Sequence, residues 1–257
     1  MTGQVHPVTH VVGAILSDAR QHARLTLGEA ARRLGMPAER LDHIESGRHH
    51  ATSADLYGLC RLYGRPDEAP ALDLLAAGSS AAGGWEVHRH DRADGFAGRL
   101  AAVARQSVRV RWLSTHLVPP PLHTSAYAAA VLQPAPSRPW PRLRDQDVVI
   151  LDESAVRRGG ATAALMCEQI IHLLNVRHTG AQIHVVPDLF PPGSYAELTL
   201  AGDVTVVVTG GFTDVAYQAT TALATHIDRA LADSDPDLSR RLLTEACAHH
   251  RFHREAR

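Results

Sequence analysis

From Ala76 to Gly84 the chain reads Ala-Ala-Gly-Ser-Ser-Ala-Ala-Gly-Gly, with no side chain large enough to anchor in a core and no periodicity. A run of this kind divides the 257 residues into two pieces that each bury their own apolar surface. We read residues 1–75 as one domain, 76–91 as a linker and 92–257 as a second domain. A chain of this length holds a core without disulfides. Cys60, Cys167 and Cys247 are isolated, odd in number and free of CxxC spacing, which suits a reduced compartment, so the expected location is the cytoplasm. The first twenty residues carry His6, His10, Asp18 and Arg20 around a short apolar run, unlike a signal peptide. The apolar stretches are also far shorter than a bilayer requires, so no membrane partner is expected.

The 26 basic residues balance 27 acidic ones, so net charge alone points neither to nucleic acid nor to a membrane surface. Every basic residue is Arg and none is Lys, which excludes a Schiff-base lysine and a lysine-dependent phosphate loop. No GxSxG elbow, dinucleotide glycine fingerprint or paired metal-binding cysteine motif is present.

Along residues 8–75, apolar positions recur at helical spacing in short bursts separated by Gly and Pro, enough for four or five short helices. Thr26 with Glu29 matches a capping box, and Thr52 with Asp55 provides a second helix start. Gly35, Met36 and Pro37 form a tight break before Ala38–Glu45, and Gly47 ends that segment. In the second piece the spacing predicts a helix over residues 92–113, carrying Trp112 and Leu113 on its apolar face. Strands are expected at Val148–Leu151 and Gln182–Val186, with an amphipathic helix at Ala161–Leu174 between them. A hairpin is expected around Ala201–Asp203, and two helices, roughly 214–232 and 236–254, close the chain. The expected fold is therefore multidomain, an all-α domain followed by an α+β domain.

Residues 9–64 resemble the helix-turn-helix domain of the phage-repressor-like, xenobiotic-response-element family. The match runs through Leu25, Thr26, Glu29, Ala30, Ala31, Leu34, Gly35, Met36, Ile44, Glu45, Ser46, Gly47 and Arg48. The resemblance implies that Ala31, Leu34, Leu41 and Ile44 join the two central helices while residues 37–43 face a major groove. Arg40 is then the expected base reader, His43 a weaker one and Arg48 a phosphate contact. The domain is a degenerate member: Leu27 stands where the family usually has Gln, and Pro37 and Ala38 stand where a Ser or Thr commonly opens the recognition helix. Glu39 and Asp42 place carboxylates on that helix, and residues 1–75 hold eight Arg against nine Asp and Glu.

Residues 100–250 resemble a domain of unknown function fused behind this type of helix-turn-helix in actinobacterial regulators. The matching stretches are Val149–Glu153 with Arg157 and Arg158, then Met166, Glu168, Gln169, Ile170, His172 and Leu173, then Ile183–Pro187. Val118, Pro119, Leu122, Thr124, Tyr127 and Ala128 keep part of a further signature, with His123 in place of its usual Gln. The resemblance implies ligand sensing or protein contact, with Trp112, His116, His123, Tyr127, Arg157, Gln169 and His172 as the expected ligand- or partner-binding residues. Asp152 and Glu153 ahead of Arg157 and Arg158 form an arrangement for anchoring an anion or for a structural ion-pair network. The 17 histidines include His88 and His90 beside Asp91, together with His172, His178 and His184, yet no complete zinc signature joins them. Neither a metal nor a cofactor is expected. Cys167 and His172 are five residues apart, off a common helical face, so burial is the expected fate of Cys167.

These readings lead to a dimeric DNA-binding transcriptional regulator, controlled by a small molecule or protein through its larger domain. The alternative is a repurposed small-molecule biosynthetic enzyme of unknown reaction, in which the helix-turn-helix domain is structural. The carboxylates on the recognition helix and the supply of His and Arg in the larger domain motivate that alternative.

Overall fold

The computed structural model describes residues 7–77, 89–131, 139–158, 161–176, 182–189, 193–210, 214–218 and 222–255. The Gly/Ser stretch of the linker, His88 and His178 lie outside the described residues. An N-terminal helical region comes first: α1 (Pro7–His22), α2 (Leu27–Leu34), α3 (Ala38–Glu45), α4 (Ser53–Leu62), a 3-10 turn at Pro66–Glu68, and α5 (Ala69–Ala77). A region of mixed strands and helices follows: β1 (Arg89–Asp91), α6 (Phe96–Gln106), β2 (Arg109–Ser114), a 3-10 turn at Pro120–Leu122, α7 (Ser125–Val131), β3 (Val148–Asp152), α8 (Glu153–Arg157) and α9 (Ala163–Val176). The chain continues through β4 (Gln182–Val186), β5 (Ser194–Leu200), β6 (Val204–Gly210), β7 (Val215–Gln218), α10 (Ala222–Ala232) and α11 (Pro236–Glu255). The seven strands form one mixed sheet in the order β1-β7-β6-β5-β2-β3-β4. An all-α region is thus followed by an α+β one, as the sequence pattern predicts.

The residues cluster into two compact units. The first takes in the described residues of Met1–Val108, Leu198–Val208 and Thr213–Thr220. Its center is α1, whose Val8, Val11, Val12, Ile15 and Leu16 are all buried. Gly13 is the point of closest approach to α3, since a Cβ there would lie 2.7 Å from the Ile44 carbonyl oxygen and 2.6 Å from that of Glu45. Where the two helices meet, Arg20 reaches the buried Glu45 carboxylate with its Nε at 3.0 and 2.9 Å, and Tyr63 donates its hydroxyl to Glu45 Oε1 at 2.8 Å. On another side α1 packs against α6. There Arg105 holds the buried Asp18 two-pronged at 2.8 and 3.0 Å, and Gln21 and Gln106 exchange side-chain hydrogen bonds. At its other end α6 sends Arg99, 1% exposed, onto Asp91 of β1 at 2.7 and 2.6 Å and onto the carbonyls of Ala93 and Asp94. Two buried ion pairs therefore fix α6, one to α1 and one to β1.

The second unit takes in the described residues of Arg109–Glu197, Thr209–Phe212 and Thr221–Arg257. Its strands β2, β3 and β4 are parallel neighbours, and α9 lies between β3 and β4 in sequence because parallel neighbours need a long crossover. Strand β3 is buried along its whole length, as expected of a strand covered on both faces, and α11 packs on α9 and β4.

Two boundaries differ from the sequence reading. The helix expected over 92–113 ends at Gln106, and Trp112 and Leu113 lie in β2. From Val108 onward the residues alternate, Val108, Val110 and Trp112 against Arg109 and Arg111, and the Val108 N–H donates to the Thr199 carbonyl at 2.7 Å. Likewise, the helix expected from 214 begins at Ala222, because Val215, Ala216 and Tyr217 pair antiparallel with β1. The strand pair Val148–Asp152 and Gln182–Val186, the α9 helix, and the turn at Gly202 and Asp203, both at positive φ, follow the expected pattern.

Candidate nucleic-acid interface

The α2–turn–α3 segment is built from local signals. Thr26 accepts the Glu29 N–H at 3.2 Å while the Glu29 carboxylate accepts the Thr26 N–H at 2.8 Å, which closes a capping box and holds the Glu29 carboxyl below its usual range. Helix α2 ends at Gly35, whose φ of 65° is the left-handed conformation that residues with a Cβ disfavour. Ala30, Ala31, Leu41 and Ile44 are buried between the helices, and Leu34 is half-buried at the edge. Pro37 precedes α3 and makes no side-chain cap, so the first turn of α3 starts with Pro37, Ala38 and Glu39 all exposed. Helix α4 repeats the capping box with Thr52 and Asp55.

Arg40 is half-exposed on α3 and donates to both oxygens of Asp55, at 2.9 and 2.8 Å. Burial raises the Asp55 carboxyl, but the Thr52 hydrogen bonds and the Arg40 charge outweigh it and hold the group below its usual range. Arg48 lies just past the end of α3, paired with Asp42 and donating its Nε to Ser46 Oγ at 2.8 Å. His43 is half-buried, and its backbone carbonyl accepts the His49 N–H at 2.9 Å. The sequence reading missed that Arg40 and Arg48 each have a carboxylate partner. One signal was legible, since Asp55 sits at the third position of a recognisable capping box. Arg24, Arg32 and Arg33 are exposed and take part in no ion pair among the described residues.

In the larger region, three of the expected ligand-binding residues come together. His123 donates its Nε2–H to the Val118 carbonyl at 2.6 Å and packs edge-on against Tyr127, with ring centroids 4.8 Å apart. The Val118 N–H reaches the Tyr127 hydroxyl at 3.4 Å. Gln169, fully buried on α9, clamps the same turn by accepting the Thr124 N–H at 2.8 Å and donating to the Leu122 carbonyl at 2.7 Å. Burial lowers the His123 pKa to about 4, so its ring is neutral, and its Nδ1 is buried without a hydrogen-bond partner among the described residues. Trp112 packs edge-on against Trp140 at 5.9 Å, and the indole N–H of each is buried and unpartnered among the described residues.

The other predicted residues have different surroundings. His116 is exposed, its Nδ1 2.6 Å from Thr115 Oγ1. Arg157 pairs with Glu153 one turn away and with Glu245 at 3.2 Å. Asp152 caps α8 through the Ser154 N–H at 2.7 Å and accepts the Leu189 N–H at 2.7 Å. His172 is half-buried on α9. His90 donates to Asp214 at 3.0 Å and Asp91 is taken by Arg99. No group of three metal-ligating side chains occurs among the described residues. Cys167 is buried, with its thiol 3.7 Å from the Cys247 carbonyl.

Two family models match the chain. A helix-turn-helix domain model matches residues 11–72, and a domain of unknown function, DUF5753, matches residues 97–245. The crystal structure of the clp gene regulator ClgR from C. glutamicum is similar to this chain at 26% identity, covering 31% of this chain and 99% of that one, with a TM-score of 0.25. No curated protein matches the sequence. No helix among the described residues is long and apolar enough to cross a membrane.

Proposed function

Because the chain belongs to the DUF5753 family and carries a helix-turn-helix domain ahead of that region, we propose that it is a DNA-binding transcriptional regulator whose larger region receives a small-molecule or protein effector. The observation that carries the reading is the α2–turn–α3 segment: a seam closed by Ala31, Leu41 and Ile44, a left-handed Gly35 at the turn, and an α3 whose first turn is exposed. That is the arrangement in which a recognition helix enters the major groove N-terminus first. His43 and Arg48 are the groove-side contacts of this reading, while Arg40 on the same helix is held by Asp55. Such a reader works as a homodimer on half-sites about 34 Å apart.

The effector reading is supported by polar atoms that are buried and unpaired among the described residues, the Trp112 indole N–H and His123 Nδ1. Buried groups of this kind are costly unless a partner satisfies them. Tyr127 and Gln169 hold the turn that presents His123, while His116, Arg157 and His172 supply more exposed contacts for a partner. The test is binding of the purified chain to a labelled duplex from its own control region and to a scrambled duplex, across a salt series. Specific binding with a shallow salt dependence, on the order of one or two phosphate contacts per protomer, is the expected result. Equal weak binding to both duplexes would remove the regulatory reading.

A further inference from the structure

The two arginines of the recognition region are both held by carboxylates, but on unequal terms. Asp55 is 8% exposed, and besides Arg40 it accepts the Thr52 N–H at 3.0 Å and the Thr52 hydroxyl at 2.7 Å. Withdrawing Arg40 would strand a buried carboxylate at the start of α4, and such losses are large. Arg40 is thus tied into the joint between α3 and α4. Arg48 and Asp42 are different, with side chains 57% and 49% exposed. Exposed ion pairs contribute little to stability, so a phosphate oxygen can replace Asp42 at the guanidinium at small cost.

We propose that Asp42 is an internal stand-in for a DNA phosphate, occupying Arg48 in the free protein and surrendering it when duplex DNA docks. The inference rests on the DNA-binding reading above and assigns its regulation to one residue. An Arg already neutralised by an attached carboxylate gives no net attraction to a polyanion, and each docking event leaves Asp42 exposed next to phosphate. The helical region offers no compensating field, with eight Arg against nine acidic residues in positions 1–75. Sequence-independent binding is therefore held down, and stable binding depends on the base contacts of a correct site.

The test is a double-mutant cycle in the full chain with Asp42→Asn, Arg48→Ala and the pair together. Affinity for a scrambled duplex of about 30 base pairs is read by fluorescence anisotropy over a salt series. Asp42→Asn is expected to tighten binding roughly three- to tenfold and to steepen the log–log salt slope by about one per bound protomer. Arg48→Ala is expected to weaken binding and to shrink the gain from Asp42→Asn, since only the repulsion between Asp42 and phosphate is then left to relieve. An equal gain in both backgrounds would overturn the proposal, because Asp42 would then act as a plain repulsive charge. Unchanged affinity of Asp42→Asn beside measurable wild-type binding would also overturn it while leaving the DNA-binding reading in place. Absence of binding by wild type and Asp42→Asn alike at the lowest salt would overturn both. Both residues are surface-exposed, so unchanged circular dichroism is expected of every variant.

Discussion

Replacing Arg20 by Met tests the polar joint that fixes α1 against α3. The guanidinium makes contacts of 3.0, 2.9 and 2.8 Å to the Glu45 carboxylate and donates to the Leu25 carbonyl at 2.9 Å. Glu45 is 7% exposed, and burial raises its pKa even with Arg20 and Tyr63 as partners. Without Arg20 the carboxylate keeps only the neutral hydrogen bonds from Tyr63 and Ser17, and breaking a buried pair in this way costs about 3–5 kcal/mol. Protonation offers an escape. Holding an ordinary Glu neutral at pH 7 costs about 3.7 kcal/mol, at roughly 1.4 kcal/mol for each pH unit above a reference near 4.3. The loss should therefore be close to 4 kcal/mol at pH 7 and should shrink by about 1.4 kcal/mol per unit as the pH falls toward 5. The sign follows from linkage: the folded state binds more protons than the unfolded one between the two pKa values, so the variant gains stability as pH drops through that window. Native-state hydrogen exchange at the Leu41 and Ile44 amides, compared with wild type at matched pH, reads the opening free energy of α3. A loss below about 1 kcal/mol, or one independent of pH, would refute the reasoning.

Three further outcomes are expected. Gly13→Ala should lower the melting temperature, because its Cβ would meet the backbone carbonyls of α3, whereas Gly28→Ala, with open space around it, should raise it through a gain in stability of up to about 1 kcal/mol from helix propensity; equal signs would contradict the packing. Gln169→Leu should cost about 2–4 kcal/mol in urea unfolding, since it strands the Thr124 N–H and the Leu122 carbonyl, and a neutral effect would show that the clamp contributes nothing. His123, lowered to about 4 by burial, should contribute stability that is complete above about pH 6.5 and lost as the pH falls toward 4; a ring titrating near 6.5 in the folded protein by NMR would contradict its burial.

Much of the helical region was legible in the sequence because its signals are local. Thr26 with Glu29, Gly35, and Thr52 with Asp55 each fix a helix end within four residues, and each does so in the structure. The polar joints were not legible, because they connect residues that no local pattern relates: Arg20 with Glu45, Arg40 with Asp55, and Arg105 with Asp18, 87 positions apart. For the same reason the sequence pattern marks Arg40 as a base contact and does not reveal Asp55 beside it. In the larger region β3, β4 and α9 were legible from length and apolar runs, whereas β2 was hidden because the helical spacing of α6 runs on into Val110 and Leu113. Short β7 carries too few residues for a period of two to stand out, and its pairing with β1 decides it. Of the expected ligand-binding residues, the grouping of His123, Tyr127 and Gln169 depends on a turn that brings positions 122–124 against α9, which spacing alone does not encode.

The most direct test of the central claim, that α3 is the DNA-reading element, is hydrogen–deuterium exchange of the whole chain with and without a duplex from its control region. The account predicts that bound DNA slows exchange across the end of α2, the Gly35 turn and residues 38–48, including the Arg48 segment. Protection confined to the larger region, with residues 38–48 exchanging as in the free protein, would contradict it.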